Sequence, residues 1–233
     1  PFYEKISKAG ITTVCIHKGL LPPDYEKSWP EVWEYNTAWD VGKAAKDWPK
    51  INFVIYHAAL QPFQETPDRV LAEFEQTGRI KWATDLAEIP AKYGVKNVYG
   101  ELGTAFANSA VVNPRFAAAF VGTLVRGLGA DHVVWGTDSV FYGSPQWQIE
   151  AMRRLEIPAD MQKKHGFAPL GLADGKVKTA IFSGNSARLY RLDRRAAQGA
   201  FTGDKVAAIK AEYVTLGGMR SNARYGYVHR VTA

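Results

Sequence analysis

The 233-residue chain has a single cysteine, Cys15, so no disulfide can form within it and a disulfide-stapled scaffold is excluded. No run approaches the roughly 20 apolar residues that a membrane-spanning helix needs. The opening PFYEKISKAG also lacks the basic-then-apolar layout of a secretory signal. The chain thus reads as soluble, and a lone thiol is compatible with a reducing, cytoplasmic setting. Internal repeats and low-complexity segments are missing too. What is present is 46% hydrophobic, 12% aromatic and 22% charged residues, the composition of a globular core, which excludes a disordered or collagen-like chain.

The body of the chain also lacks an excess of either charge. Residues 188–233 carry nine Lys and Arg against three acids, a net charge equal to the +6 of the whole chain, so residues 1–187 are neutral. No basic footprint for nucleic acid is built into the body. Composition turns to Ala, Gly, Gln and Arg near Arg191–Gly203, which suggests a body of residues 1–193 and a basic extension of residues 194–233. A charged tail of this kind suits a subunit or intrachain contact first and a polyanion contact second, and a homo-oligomer is expected.

Within the body, short apolar runs alternate with helical patterns. Ile11–Ile16 is β-branched and ends at His17; Ile51–Tyr56 ends at His57; Val95–Tyr99 ends at Gly100 and Glu101; His132–Trp135 ends at Gly136-Thr137-Asp138. Such runs predict buried parallel strands. Helices are expected over Asp40–Trp48, Thr66–Gln76, Thr84–Tyr93 and Arg115–Leu128. Further helices are expected over Pro145–Leu155, Ala159–Lys164 and Val177–Tyr190, the last interrupted near Gly184. Four strands separated by helices indicate an α/β protein, either a (β/α) barrel or a doubly wound sheet. A barrel gathers its chemistry at the C-terminal ends of its strands. His17, His57 and Asp138 all fall there, and two imidazoles and a carboxylate on one edge can converge on a cation. Eight βα units take about 250 residues, however, and these four already occupy residues 11–138.

The segments VCIHKG, INFVIYHAAL, VVWGTDS and IFSGNSARLY resemble the C-terminal half of the amidohydrolase-related (amidohydrolase 2) family. These are TIM-barrel metal-dependent hydrolases, and the group includes the aminocarboxymuconate semialdehyde decarboxylase type. The resemblance implies a (β/α)8 barrel of which this chain holds about the last four βα units. It implies His17 as a metal ligand, His57 as an acid/base group beside the metal, and Asp138 as a metal ligand or as the base for the water the metal activates. The cation expected is zinc, with manganese or iron also suited to such ligands. The activity implied is hydrolysis of a C–O or C–N bond in a small organic substrate by metal-activated water. Non-oxidative decarboxylation of a carboxylic acid on the same site is the alternative, and a non-catalytic assembly subunit or pseudo-enzyme is the other.

The departure from the family is the absence of any His-x-His pair, which relatives use for two further ligands. His132 opens a strand at the far end, His165 ends a helix and His229 lies in the extension, so none replaces it. The expectation is therefore a missing N-terminal half of the barrel, truncated, cleaved or carried on another polypeptide. Glu101, Trp29 and Phe63 are candidates to contact substrate, among aromatics that crowd the loops after His17 and His57. His57 is expected to titrate near neutrality, Lys18 to point away from His17, and Asn185 to cap a helix.

Overall fold

The structure, a computed structural model, describes residues 1–22, 24–61, 66–192 and 204–218. Four strands form one sheet: β1 (Thr13–His17), β2 (Asn52–Tyr56), β3 (Val98–Glu101) and β4 (Val133–Val134). All neighbours are parallel and the spatial order is β1-β2-β3-β4, the order of the sequence. A doubly wound sheet reverses its strand order at a switch point. No reversal occurs among the described residues, so of the two architectures the sequence allowed, the sheet follows the barrel-type progression.

Helices supply the crossovers. The α-helices of five or more residues are, in chain order, α1 (Phe2–Lys8), α2 (Val41–Asp47), α3 (Pro67–Thr77), α4 (Ala83–Tyr93), α5 (Gly103–Val112) and α6 (Pro114–Leu128). After β4 come α7 (Gln146–Arg154), α8 (Ala159–His165), α9 (Asn185–Leu189) and α10 (Lys205–Thr215). Local chemistry sets several of these ends. Thr66 and Asn113 accept the backbone N–H three residues on, each with Pro in the first turn, and left-handed Gly78 and Gly94 stop α3 and α4. Helix α5 is not marked by any amphipathic period. Its sequence, GTAFANSAVV, is almost uniformly apolar because it is buried on nearly every side, as Ala105, Phe106 and Ala110 show.

Alternation along the strands divides the sheet into two faces. Phe53, Ile55, Val98 and Val133 point toward the helices and join the main core with Phe74, Leu86, Phe106, Phe120 and Leu124. Burying side chains of this size contributes roughly 1.5–3 kcal/mol each. On the opposite face the register aligns Cys15 with Val54, His17 with Tyr56, Val54 with Tyr99, and Glu101 with Val134. There Val54, Tyr99 and Val134 pack against Leu189 of α9.

Two asparagines fix where strands begin. The amide of Asn97 donates toward the carbonyls of Ala45, Trp48 and Ile51 at 2.8–3.2 Å, tying the end of α2 to the approach to β3. Residues 95–97 are consequently a connector, and β3 lies later than the Val95–Tyr99 pattern suggested, with Glu101 as its last residue. Asn185 donates to the carbonyls of Ala130 and Val133 at 2.8 and 2.7 Å. It secures the entry to β4 instead of capping a helix, because its buried side chain faces the sheet.

No helix among the described residues is long and apolar enough to cross a membrane. The proposed boundary between residues 193 and 194, and with it Arg194, Arg195, Arg220, Arg224, His229 and Arg230, lies outside the described residues. The described part of the extension is α10, whose side chains are exposed throughout.

Candidate active site

The C-terminal ends of the strands bring three predicted residues together. His17 ends β1, His57 follows β2, and Asp138 follows β4. The His17 and His57 rings meet edge to face, 4.7 Å between centroids. Nδ1 of His57 lies 3.5 Å from Oδ2 of Asp138. That carboxylate oxygen also accepts the Thr104 backbone N–H at 3.1 Å and the Thr104 hydroxyl.

The backbone reaches this arrangement at a cost. His57, Ala58 and Ala59 have φ of 59°, 45° and 54°, three consecutive left-handed residues without a glycine, and Asp138 has φ 47°. Each such residue costs about 1–2 kcal/mol. Strain of that kind persists only where surrounding contacts dictate it. The turn is closed by the Leu60 N–H on the His57 carbonyl at 3.0 Å, and the Leu60 carbonyl accepts Leu20 N–H at 2.7 Å. Gly19 passes so close that a Cβ there would lie 2.3 Å from the Leu60 oxygen.

Burial and neighbouring charge set the protonation states. Burial, reinforced by His17, pushes His57 down to about 4 against the opposing pull of Asp138. The expectation of near-neutral titration is thus corrected: the enclosed imidazole is neutral at pH 7, so its contact with Asp138 is not an ion pair. His17, which solvent still reaches, is also lowered, by partial burial first and against Asp138. Glu101 is pushed up to about 7, chiefly by burial and further by Asp138, while backbone N–H groups of His57 and Gly103 oppose the rise.

A cavity of about 260 Å³ opens beside these groups, walled by Tyr56, Glu101, Trp135, Asp138, Ser186 and Tyr190. The Tyr190 hydroxyl lies 3.6 Å from Sγ of Cys15. Tyr56 is pushed up to about 12, first by its hydrogen bond with Cys15, and Tyr190 is raised by burial and the same cysteine. Both phenols therefore stay protonated at neutral pH, and both residues line the cavity.

The remaining candidates are placed differently. Trp29 is 57% exposed, stands against Tyr25, and does not line this cavity. Phe63 lies outside the described residues. Lys18 points away from His17, as alternation requires, and is buried with its ammonium on Asp40 and the Tyr35 carbonyl, anchoring the aromatic loop to β1. Sequence reasoning did not pick out Thr104, Tyr56 or Tyr190. For Thr104 a signal existed, since Gly103 and Thr104 follow Glu101 at the start of a helix, where backbone N–H groups attract a carboxylate.

The His17 imidazole and the Asp138 carboxylate are donor types that suit a divalent cation, and the buried Nδ1 of His57 beside them has no hydrogen-bond partner among the described residues. Among the described residues, no three His, Cys, Asp or Glu side chains are gathered closely enough to hold a metal ion by themselves.

A sequence profile described as amidohydrolase matches residues 1–192. The chain belongs to the amidohydrolase family. No curated protein matches it. Among solved structures, this amidohydrolase chain is similar to 5-carboxyvanillate decarboxylase from Sphingomonas paucimobilis, with 16% identity and a TM-score of 0.42 over 82% of this chain and 52% of that one. It is similar to a candidate 2-pyrone-4,6-dicarboxylic acid hydrolase from Pseudomonas putida, with 15% identity and a TM-score of 0.43 over 82% of this chain and 67% of that one. A dihydroxybenzoic acid decarboxylase from Polaromonas sp. JS666, solved with bound manganese, shows 16% identity and a TM-score of 0.38 over 82% of this chain and 53% of that one. The chain thus spans about half the length of the first of these structures.

Proposed function

We propose that this amidohydrolase-family chain carries the His17, His57 and Asp138 side of a metal-dependent hydrolase acting on a C–O or C–N bond of a small organic substrate. The observation that supports it most is the convergence of these three residues on one edge of the sheet, with His57 Nδ1 3.5 Å from Asp138 and no other partner among the described residues. His17 and Asp138 would hold the cation, zinc first and manganese next. When bound, the cation supplies Lewis acidity and lowers the pKa of water from 15.7 to about 7. Asp138, fixed by two donors from Thr104, orients the nucleophile and accepts its proton. Neutral His57 takes up or returns a proton at Nδ1, and the Tyr56 and Tyr190 hydroxyls bind substrate oxygen in the adjoining cavity.

The outer edge of β1 has no neighbouring strand among the described residues. An uncovered strand edge presents unpaired N–H and C=O groups that favour pairing, which supports pairing of β1 with further strands that close a barrel and bring the remaining ligands. We place that missing half on the same or a separate polypeptide in a cytoplasmic homo-oligomer, with residues 194–233 as a basic contact segment.

The test is an assay of ester, lactone, amide and aromatic carboxylic acid substrates with zinc or manganese, comparing wild type with Asp138→Asn. Metal-dependent hydrolysis abolished by the substitution supports the reading. Release of CO2 alone would replace hydrolysis by decarboxylation, and activity indifferent to Asp138 would reject the site.

A further inference from the structure

We propose that Glu101 is a positioning residue, not a substrate contact: its buried carboxylate holds the left-handed turn His57–Ala59 and so aims the His57 ring at Asp138. Its consequence for catalysis rests on the function proposed above, but its geometry does not.

Three observations carry the proposal. Glu101 is only 9% exposed, and its Oε2 accepts the backbone N–H of His57 at 3.1 Å. The first residue of a left-handed turn offers its N–H to no helical or strand partner, so the carboxylate fills a need that the turn creates. Second, the carboxylate occupies a place shaped by two glycines. A Cβ on Gly136 would lie 1.5 Å from Oε1, and one on Gly103 would lie 2.9 Å from Oε2 and 2.9 Å from Nδ1 of His57. Gly103 itself has φ +32° and donates its N–H to the same carboxylate. Third, the far side of the turn is already fixed by Leu20 N–H on the Leu60 carbonyl. Glu101 fixes the near side. With both ends held, the strained segment has one way to run, and the His57 ring is delivered beside His17 and Asp138.

A residue that merely filled space would leave the His57 N–H and the strain of the turn unaffected. The test therefore uses the full chain and reads the backbone. Amide hydrogen exchange at His57 is measured by 15N NMR in wild type, Glu101→Gln, Glu101→Ala and Gly136→Ala. Exchange at His57 should accelerate about tenfold or more in Glu101→Ala, since the acceptor of its N–H is lost. Glu101→Gln, which keeps one acceptor oxygen, should fall between it and wild type. Gly136→Ala, which displaces the carboxylate without removing it, should match Glu101→Ala. In unfolding equilibria, the pair Ala58→Gly and Ala59→Gly should shift the folding constant about fivefold further toward the folded state in the Glu101→Gln background than in wild type, a coupling measured by the mutant cycle.

His57 exchange within threefold of wild type in Glu101→Ala would overturn the proposal. So would equal effects of the glycine pair in both backgrounds. If Glu101→Ala does not fold, Glu101→Gln and Gly136→Ala decide by the same criteria. The two readings fail separately: altered His57 exchange with activity that survives Asp138→Asn leaves the clamp standing and removes the catalytic assignment. Unaltered exchange with activity lost in Asp138→Asn does the reverse.

Discussion

The two ends of the sheet are built on different terms. At the N-terminal ends of the strands, Asn97 and Asn185 satisfy carbonyls of Ala45, Trp48, Ile51, Ala130 and Val133, and His132 contacts the Lys96 carbonyl at 2.8 Å. At the C-terminal ends, four non-glycine residues of the site are left-handed, and Glu101 and His57 are shifted far from their ordinary values. Hydrogen bonding at one end stabilises the strand starts, while strain and desolvation at the other accompany the approach of His57 to His17 and Asp138. Such a division is what a fold with its chemistry at the strand C-termini requires.

Substitutions at each end should separate these roles. Asp138→Asn is expected to lower activity about a thousandfold or more while leaving the denaturation midpoint near that of wild type. Activity within tenfold of wild type would erase the distinction. At the other end, Asn97→Ala should cost about 3 kcal/mol, because buried carbonyls lose their donor; urea unfolding measures it, and a loss under 1 kcal/mol would show that Asn97 is no staple.

Glu101 gives a pH test. Its folded-state value near 7 exceeds the ordinary 4.5, so the native state binds the proton more tightly than the unfolded chain. Stability contributed by this group is complete below about pH 4.5 and is lost as pH rises through 7, by about 3 kcal/mol in total. Denaturant midpoints across that range should fall in wild type and flatten in Glu101→Gln. The groups facing it, Asp138 and the backbone of His57 and Gly103, are unchanged in that variant. A slope that persists would assign the titration elsewhere.

The smallest effect compares two buried alanines. Ala59→Gly relieves a left-handed residue but loses a methyl, so its stability should stay within about 0.5 kcal/mol of wild type. Ala119→Gly, in the middle of α6 and fully buried, should cost about 1–2 kcal/mol. Equal costs would mean that the turn carries no strain.

Much of this division was legible in the chain. The runs ending at His17, His57 and Asp138 announce themselves because a buried parallel strand is apolar and its C-terminal end is polar. Helix α5 was not legible, since a helix buried on nearly every side has no period to read. The displacement of β3 hid behind Asn97, whose three carbonyl contacts come from residues 46–52 positions earlier. Glu101 could be named from sequence, but its inward direction could not, because the space for it is made by Gly136, far along the chain. Nor did sequence show the depressed value of His57, which depends on the ring of His17 beside it.

Titration of the full chain with manganese, followed on imidazole NMR signals, tests most directly whether the C-terminal edge is the metal-facing end. Broadening of His17 and His57 at substoichiometric manganese, with His132 and His165 still sharp, is the predicted result. Equal broadening of all four, or none at His17 and His57, would contradict it.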